Sequence, residues 1–396
     1  MSAENRYLPG QIICYQGEAM RFLYILKAGA VEVILNDPAD RPLSLDVIQT
    51  RGQRIATIQE NGALVGEMGA LLKTRSATLR AGSQGAVLQP IPLSEDGLVK
   101  AILNKPSLGV GMARTMAERL RANNDRSRRL LLLHDKVLDG SREYARRFYE
   151  LSERMAGVYR GRPSMMTLVK VTQATASFEA GKQARRVVGS RPDDDGVVPG
   201  QEAVSSSGPA AERARQSMVE FEKDAYLFRR GETGDALFVV LEGRLAVEIE
   251  DHEVDTVEKG GIVGEMAVLL DENLRTATVR AVEKSRLLVV ERDRFEEVVE
   301  SMPSIAVGLV RILTDRIRNS NTGLFEARNR LVGGLRSLGE VVDDFATFRQ
   351  RLTQYRDQPI DISEALSADH DAASRFKREM DVAARDVLRE SEIPRR

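Results

Sequence analysis

A glycine, a glutamate, an arginine and a hydroxyl-bearing residue recur at similar spacing in two parts of the chain. The first run is Gly66-Glu67-Met68 with Arg75-Ser76-Ala77-Thr78, and the second is Gly264-Glu265-Met266 with Arg275-Thr276-Ala277-Thr278. The planar fork of an arginine suits a phosphate, and a glycine lets the backbone approach a ligand closely. The glutamate and arginine could equally form a structural ion pair in a fold that binds nothing. The motif alone leaves both interpretations open.

The composition leaves few other kinds of site. Cys14 is the only cysteine, and the three histidines, His134, His252 and His370, lie far apart in the sequence. No Gly-x-x-x-x-Gly-Lys, Gly-x-Ser-x-Gly or His-Glu-x-x-His motif occurs. We therefore expect no metal site, no cofactor and no enzymatic activity. Cys14 lies in the apolar run Ile12–Tyr15, which predicts a core residue rather than a nucleophile.

The overall charge argues against a polyanionic partner. The 396 residues include 58 Lys+Arg and 59 Asp+Glu, a net charge of −1. Such a balance does not favour general binding to nucleic acid or to a membrane surface. No apolar run approaches the length of about 18 residues that a transmembrane helix needs, and the first residues lack the basic-then-apolar order of a signal peptide. We expect a soluble, cytoplasmic protein.

Further matched blocks in the same order indicate that the chain is an internal duplication. They are Gly17-Glu18 with Gly231-Glu232, Gly29 with Gly243, and Pro106–Gly111 with Pro303–Gly308. The offset between the copies falls from 214 at the first of these blocks to 198 at the motif glutamate, so the first copy carries 16 extra residues. We predict that they form a hairpin insertion between Asn36 and Thr57.

Each copy is expected to be a β-roll followed by a helix. Leu245, Val247 and Ile249 alternate with polar or small residues, which is typical of a half-buried strand, and glycines recur at hairpin spacing. Apolar residues then fall every three or four positions, as in a coiled-coil seam. The predicted fold class is α+β, with two jelly-roll-like β-rolls, a long α-helix after each and a helical C-terminal region. The predicted boundaries are 1–106 for the first roll, 107–160 for its helix, 161–217 for a helix and flexible linker, 218–303 for the second roll and 304–396 for the long helix and tail.

The duplicated motif resembles the phosphate-binding cassette of cyclic nucleotide-binding domains, the sensor domains of catabolite activator protein and of the regulatory subunits of cyclic-AMP-dependent kinase. The resemblance covers roughly residues 5–125 and 218–322. It implies that Glu265 accepts the ribose 2′-hydroxyl and that Arg275 pairs with the cyclic phosphate. Thr276 would add a hydroxyl donor, and a short helix starting at Gly264-Glu265 would direct its free N–H groups at the phosphate. Val263 and Ala277 would line the sugar–phosphate cradle.

Polar residues on the following helices resemble the base-reading region of the same family. The first segment begins at Arg119 and the second at Arg316. The resemblance implies base contacts from Asn123, Asn124, Ser320 and Asn321, but polar residues in a coiled-coil seam can instead set the register. The candidate site of the first copy is Val65, Gly66, Glu67, Met68, Arg75, Ser76, Ala77, Arg119, Asn123 and Asn124. The candidate site of the second copy is Val263, Gly264, Glu265, Met266, Arg275, Thr276, Ala277, Arg316, Ser320 and Asn321.

The first copy departs from the family pattern in two ways. Glu67 and Arg75 are eight residues apart, whereas Glu265 and Arg275 are ten apart, and Ala19-Met20-Arg21 replaces Thr233-Gly234-Asp235. Either change could alter the choice of ligand or abolish binding, so the pattern favours a working site in the second copy. Cyclic AMP is favoured over cyclic GMP only weakly, because a hydroxyl at Ser76 or Thr276 suits both.

These observations lead to a sensor hypothesis and two alternatives. A cyclic nucleotide sensor would pass its ligand state along the helices to oligomerisation or to a partner protein. A ligand-free scaffold that oligomerises through coiled coils would have the same pattern. The third alternative is a transcription regulator, because Asp361–Ser367 and Ala373–Arg378 faintly resemble a helix-turn-helix. That motif lacks its turn glycine, and Asp369 and Asp371 would repel phosphates.

Overall fold

The computed structural model describes residues 4–37, 40–92, 97–160, 162–187, 218–249, 252–270, 274–355 and 360–389. The predicted flexible linker, residues 191–210, lies outside these ranges. The chain divides into two compact units. The first contains both β-rolls with the long helices as far as Asn124 and Thr322. The second contains the later parts of the long helices, the helices between residues 163 and 187 and the C-terminal helix. No helix in the described ranges is both long and apolar enough to cross a bilayer.

The first roll is an antiparallel sheet in the order β1-β6-β3-β4, with β2 paired to β6 and β5 paired to β3. Its long central strands carry the alternating apolar residues that fill the roll. The strands are β1 Asn5–Tyr7, β2 Ile12–Cys14, β3 Phe22–Leu35, β4 Gln53–Ile58, β5 Leu64–Val65 and β6 Thr78–Pro92, and helix α2 (Glu67–Leu72) follows β5.

The insertion in the first copy connects two antiparallel strands, β3 and β4, and it contains a helix that the prediction of a hairpin missed. Helix α1 (Leu45–Arg51) precedes β4, and the hydroxyl of Ser44 caps it by accepting a hydrogen bond from the backbone N–H of Val47 at 3.2 Å. Ile48 is buried and packs in a small cluster with Ile34. A serine cap and the burial of Ile48 stabilise a short helix here.

The second roll consists of two four-stranded antiparallel sheets, in the orders β11-β10-β13-β8 and β12-β9-β14-β7. The strands are β7 Met218–Phe221, β8 Tyr226–Phe228, β9 Ala236–Glu242, β10 Leu245–Ile249, β11 His252–Val257, β12 Ile262–Val263, β13 Thr278–Ala281 and β14 Ser285–Glu291. Helix α7 (Glu265–Leu269) follows β12, at the place that α2 occupies in the first copy. The α+β fold with two β-rolls is confirmed.

The helices after each roll are long, as predicted. They are α3 Gly97–Asn104 and α4 Pro106–Val158 after the first roll, and α8 Phe295–Ser301 and α9 Ser304–Leu352 after the second. The single helix predicted within residues 161–217 is two helices, α5 Pro163–Gln173 and α6 Ala176–Val187. Helix α10 runs without interruption from Ile360 to Arg389. Because no turn separates Ser367 from Ala373, the suggested helix-turn-helix is wrong.

Within the first unit, the starts of α4 and α9 pack side by side around a shared apolar core. This core joins residues of both copies, including Met116, Leu120, Leu309 and Leu313. A Cβ placed on Gly109 would lie 2.9 Å from the Cβ of Ala306, its counterpart at an offset of 197. The sequence left open whether the helices pair within or between chains. Here they pair within one chain, with equivalent positions facing each other as across a two-fold axis.

Within the second unit, the same offset of 197 brings equivalent positions together. The rings of Phe148 and Phe345 meet edge to face at 5.1 Å between centroids, and both are fully buried. Helix α10 packs against α4, where the ring of Phe376 lies over Gly140, and a Cβ on that glycine would be 2.0 Å from the ring. Ion pairs from Arg147 to Asp369, at 3.1 Å, and from Arg154 to Asp361, at 3.1 Å, connect the same two helices.

Candidate functional site

Each candidate site is organised around a glycine in the left-handed backbone region. Gly66 has φ of 89° and Gly264 has φ of 75°, and each immediately precedes the short helix, α2 or α7. A Cβ on Gly66 would lie 2.3 Å from Nη1 of Arg75, and a Cβ on Gly264 would lie 2.5 Å from Nη1 of Arg275. The guanidinium therefore lies against the glycine in both copies, and a larger residue would displace it.

The backbone of each arginine is fixed by a Gly-Glu turn far upstream. The N–H of Gly17 donates to the carbonyl of Arg75 and the N–H of Arg75 donates to the carbonyl of Glu18, both at 2.8 Å. In the second copy, Gly231 and Glu232 make the same two bonds to Arg275 at 2.9 and 2.8 Å. Sequence reasoning recognised these turns only as matched blocks. Their recurrence in both copies was the available signal that they position the site.

In the first copy, the motif residues line one cleft. Seven of the ten candidate residues are on its wall, and one of them, Arg119, belongs to the long helix. The cleft is lined by Val33, Ile58, Gly66, Glu67, Met68, Gly69, Arg75, Ser76, Ala77, Leu79 and Arg119. Val65 is fully buried in the roll core and does not line the cleft. The two charged residues of the motif, Glu67 and Arg75, are each 5% exposed.

Arg75 has an unused donor in this cleft. Its Nη2 donates to the carbonyl of Phe22 at 2.7 Å, and its guanidinium carbon lies 5.3 Å from the ring centre of Tyr24. Its Nη1 is buried and has no hydrogen-bond partner among the described residues. A buried cationic donor without an acceptor is costly, so an anion bound here would satisfy it.

Arg275 makes more contacts with its own domain. Its Nη1 donates to the carbonyl of Ala236 at 2.8 Å and to that of Gly264 at 3.2 Å. Its guanidinium carbon lies 4.2 Å from the ring centre of Phe228, and its Nε is buried without a partner in the described part of the chain. Burial lowers the pKa of Arg275 from its usual value, against the opposing effect of nearby acidic side chains. Among the remaining candidates of this copy, Val263 and Met266 are buried, Ala277 packs against the roll core and Thr276 is exposed.

The motif glutamates are bound to the long helices. Nη1 of Arg119, on α4, forms an ion pair with Oε1 of Glu67, and Nη1 of Arg316, on α9, does the same with Glu265. Glu265 is 1% exposed, and such a buried carboxylate needs a cationic partner. Each pair joins the cassette of one copy to the helix that follows it.

The four predicted base contacts lie in the helix pair. Nδ2 of Asn123 donates to Oδ1 of Asn321 at 2.6 Å, and the hydroxyl of Ser320 donates to Oδ1 of Asn124 at 2.8 Å. At the offset of 197, Asn123 is equivalent to Ser320 and Asn124 to Asn321. The two bonds are therefore related by the approximate two-fold axis. None of the four residues lines the cleft of the first copy.

A family model for the cyclic nucleotide-binding domain matches residues 4–90 and 218–302. These ranges contain both rolls, both left-handed glycines and both buried arginines. The chain carries two cyclic nucleotide-binding domains. We refer to them as domain A and domain B, and to their candidate sites as site A and site B.

The curated relatives match only part of this chain. The chain is 33% identical over 105 residues to the Pycsar effector protein PaPycTIR of Pseudomonas aeruginosa, covering 26% of this chain and 34% of that protein. It is 29% identical over 146 residues to the cyclic AMP receptor protein of Thermus thermophilus, covering 33% of this chain and 67% of that protein. The chain thus spans about a third of the first relative and two thirds of the second.

Solved structures align with longer parts of the chain at lower identity. The regulatory domain of Toxoplasma gondii PKA, crystallised with cAMP, is 16% identical over 77% of this chain and 84% of its own, with a TM-score of 0.22. A TM-score below 0.5 does not indicate a shared overall arrangement. The assignment of domains A and B therefore depends on the family match and on the duplicated site geometry.

Proposed function

We propose that this protein is a cyclic nucleotide sensor with two sites in one chain and without an enzymatic activity of its own. The observation that carries the proposal is Nη1 of Arg75, a buried cationic donor that has no partner among the described residues, beside Gly66 in a cleft that Glu67 also lines. A cyclic nucleotide brings one phosphate charge and one free ribose hydroxyl. The phosphate would satisfy the arginine, and the hydroxyl would donate to the glutamate.

The ligand would be read by matched groups in the two domains. Arg75 and Arg275 would bind the phosphate, and Ser76 and Thr276 would add hydroxyl donors beside it. Cyclic AMP is the first ligand to test, because the Thermus thermophilus relative is named a cyclic AMP receptor protein. The hydroxyls suit cyclic GMP as well. A cytoplasmic location stays a prediction of the sequence.

The ion pairs suggest how binding would be relayed. Glu67 is already held by Arg119 of α4, so a ribose hydroxyl that binds this carboxylate must share it or displace the arginine. The same holds for Glu265 and Arg316 of α9. Binding would then favour a different position of the long helices, which is a shift between populated states. The helices would present this change to a partner protein or to a second copy of the chain.

One observation favours a purely structural role for domain B. Nη1 of Arg275 is already bonded to two carbonyl oxygens and the guanidinium lies against an aromatic ring, so most of its contacts are made within its own domain. The scaffold alternative extends this to both domains. It predicts that neither arginine is needed for anything but folding.

Calorimetric titration separates the two hypotheses. Wild type, Arg75→Ala and Arg275→Ala are stripped of any bound nucleotide by unfolding and refolding and are then titrated with cyclic AMP and with cyclic GMP. The sensor hypothesis expects binding by the wild type and loss of one site in each variant. If only one variant loses a site, the other domain is structural. If the refolded wild type binds neither cyclic AMP nor cyclic GMP, the sensor hypothesis for these nucleotides is wrong.

A further inference from the structure

The strand before the Gly-Glu turn differs between the domains at the position that faces the arginine. Cys14 of β2 pairs with Leu79, and Phe228 of β8 pairs with Val279, the counterpart of Leu79. Cys14 and Phe228 are therefore equivalent. Cation–π attraction from the ring of Phe228, 4.2 Å away, helps to hold Arg275 in place. Cys14 offers no ring, so among the described residues Arg75 contacts only the ring of Tyr24, at 5.3 Å, whereas Arg275 also contacts Phe238, the counterpart of Tyr24, at 5.8 Å.

A second difference lies three residues after the turn glycine. A Cβ on Gly234 would lie only 2.3 Å from Nε and from Nη2 of Arg275. The guanidinium of Arg275 can take its position only because residue 234 has no side chain. The equivalent residue in domain A is Met20, whose Cβ would occupy that space. Arg75 is thereby excluded from the position that Arg275 takes.

The charge next to the arginine is also reversed. Asp235 is exposed and stabilises the charged form of Arg275, as do Glu232 and Glu265. The equivalent of Asp235 in domain A is Arg21, which is exposed as well. An anionic ligand that approaches site B meets the carboxylate of Asp235, which repels it. An anionic ligand that approaches site A meets the guanidinium of Arg21, which attracts it.

The hydrogen bonds agree with these three differences. Nη1 of Arg275 is shared between the carbonyls of Ala236 and Gly264, whereas Nη1 of Arg75 has no partner among the described residues. We infer that Phe228, Gly234 and Asp235 are positioning residues that hold Arg275 against its own domain, so that site A binds the cyclic nucleotide more tightly than site B. The inference rests on the proposed function, and it reverses the sequence expectation that favoured the second copy.

The difference is measurable because each site can be isolated. In Arg75→Ala only site B remains, and in Arg275→Ala only site A remains. Titration calorimetry with cyclic AMP should give a Kd for site A at least tenfold below that for site B. Equal Kd values, or a tighter site B, would overturn the inference while leaving the proposed function in place. No binding in the refolded wild type would instead remove the proposed function, and the inference with it.

The positioning role is tested in the Arg75→Ala background, where only site B reports. Phe228→Leu keeps an apolar side chain but removes the ring, and it should lower the Kd of site B about tenfold. Phe228→Tyr keeps the ring and should retain the weaker binding. Phe221→Leu is the matched control, because Phe221 packs against the same roll core without contacting Arg275. Thermal unfolding of each variant reports any loss of structure.

A substitution at the exposed residue Asp235 tests the inference without disturbing the core. Asp235→Arg installs the charge that domain A has at this position, and it should tighten site B with an effect that shrinks as salt concentration rises. A merely structural role for Phe228 would change the unfolding temperature and leave the Kd of site B where it was. Unchanged Kd values in both Phe228→Leu and Asp235→Arg would show that these residues do not restrain Arg275.

Discussion

Substitution of Gly66 by alanine tests whether the guanidinium of Arg75 lies against this glycine. The φ of 89° is strained for an alanine, which costs about 1 kcal/mol. The added Cβ would also lie 2.3 Å from Nη1 of Arg75, so the guanidinium must move by close to an ångström. That movement stretches the 2.7 Å bond from Nη2 to the carbonyl of Phe22.

Gly62 provides a matched control for the backbone term. Its φ is 91°, nearly that of Gly66, but a Cβ placed on it has no heavy atom within 4 Å. Gly62→Ala should therefore destabilise domain A by about 1 kcal/mol through strain alone. Gly66→Ala should cost about 3 kcal/mol, because a hydrogen bond from a charged group contributes about 1.5–3 kcal/mol on top of the strain.

Urea denaturation of both variants measures the difference in stability, and titration with cyclic AMP measures the effect on site A. We expect Gly62→Ala to bind as wild type does and Gly66→Ala to bind at least tenfold more weakly. Domain B offers a second pair, because Gly260 has open space and Gly264 faces Arg275. Equal stability losses and equal affinities in Gly62→Ala and Gly66→Ala would refute the placement of Arg75 over Gly66.

Three further predictions follow from other contacts. Burial raises the pKa of the Cys14 thiol to about 11, so alkylation of this thiol at pH 8 should be slow in the native protein. Because alkylation then requires domain A to open, cyclic AMP at 100 times its Kd should slow it about 100-fold, as measured by mass spectrometry. Arg75→Ala should abolish this protection, and Arg275→Ala should keep it. Asn321→Ala leaves the buried Nδ2 of Asn123 without its 2.6 Å partner, and it should lower the free energy of unfolding in urea by about 1–3 kcal/mol. Replacing both asparagines by leucine should lower it by less, because no buried donor is then left unpaired. A larger loss of stability in the double variant would contradict this. Gly140→Leu should displace Phe376, whose ring would be 2.0 Å from the new Cβ, and expose α10 to limited proteolysis, while Gly157→Leu, with open space around it, should not.

The same thiol gives a direction for the pH dependence of stability. Folding raises the pKa of the Cys14 thiol from about 9 in the unfolded chain to about 11. The protonated thiol therefore contributes fully to the stability of the native state below about pH 9, and this contribution to stability is lost as the pH rises through about 11. Tyr24, whose pKa burial raises to about 12, acts in the same direction at slightly higher pH. Domain A should therefore lose stability in alkali more steeply than a Cys14→Ala variant does, as measured by urea unfolding at pH 8 and pH 11.

The duplication made most of the fold predictable from the sequence. Two motifs with the same residues in the same order implied two copies of one domain, and the change from alternating to helical periodicity located the long helices. The offset located the insertion between Asn36 and Thr57 but did not show that it contains a helix. The signals for helix α1 were local, namely the Ser44 cap and the burial of Ile48.

The sites were predictable in composition but not in geometry. The motif identified Glu67, Arg75 and their counterparts, because each residue type has a chemical reason to be there. No local pattern indicated that Asn123 would meet Asn321, since the pairing depends on two helices almost 200 residues apart in the chain. The equivalence of Cys14 and Phe228 could be read from the offset of 214, but its effect on the two arginines required the stacking distance.

The pairing of α4 with α9 at a constant offset has a genetic consequence. When two identical subunits meet across a two-fold axis, every substitution at the axis is made twice and both halves change together. In this chain the two halves of the seam are encoded separately, so a codon change at Asn123 leaves Ser320, its counterpart, untouched. Mutations can therefore alter one cyclic nucleotide-binding domain while the other keeps its sequence and its half of the interface. Cys14 and Phe228 occupy equivalent positions but differ in residue type, which is impossible in a dimer of two identical subunits.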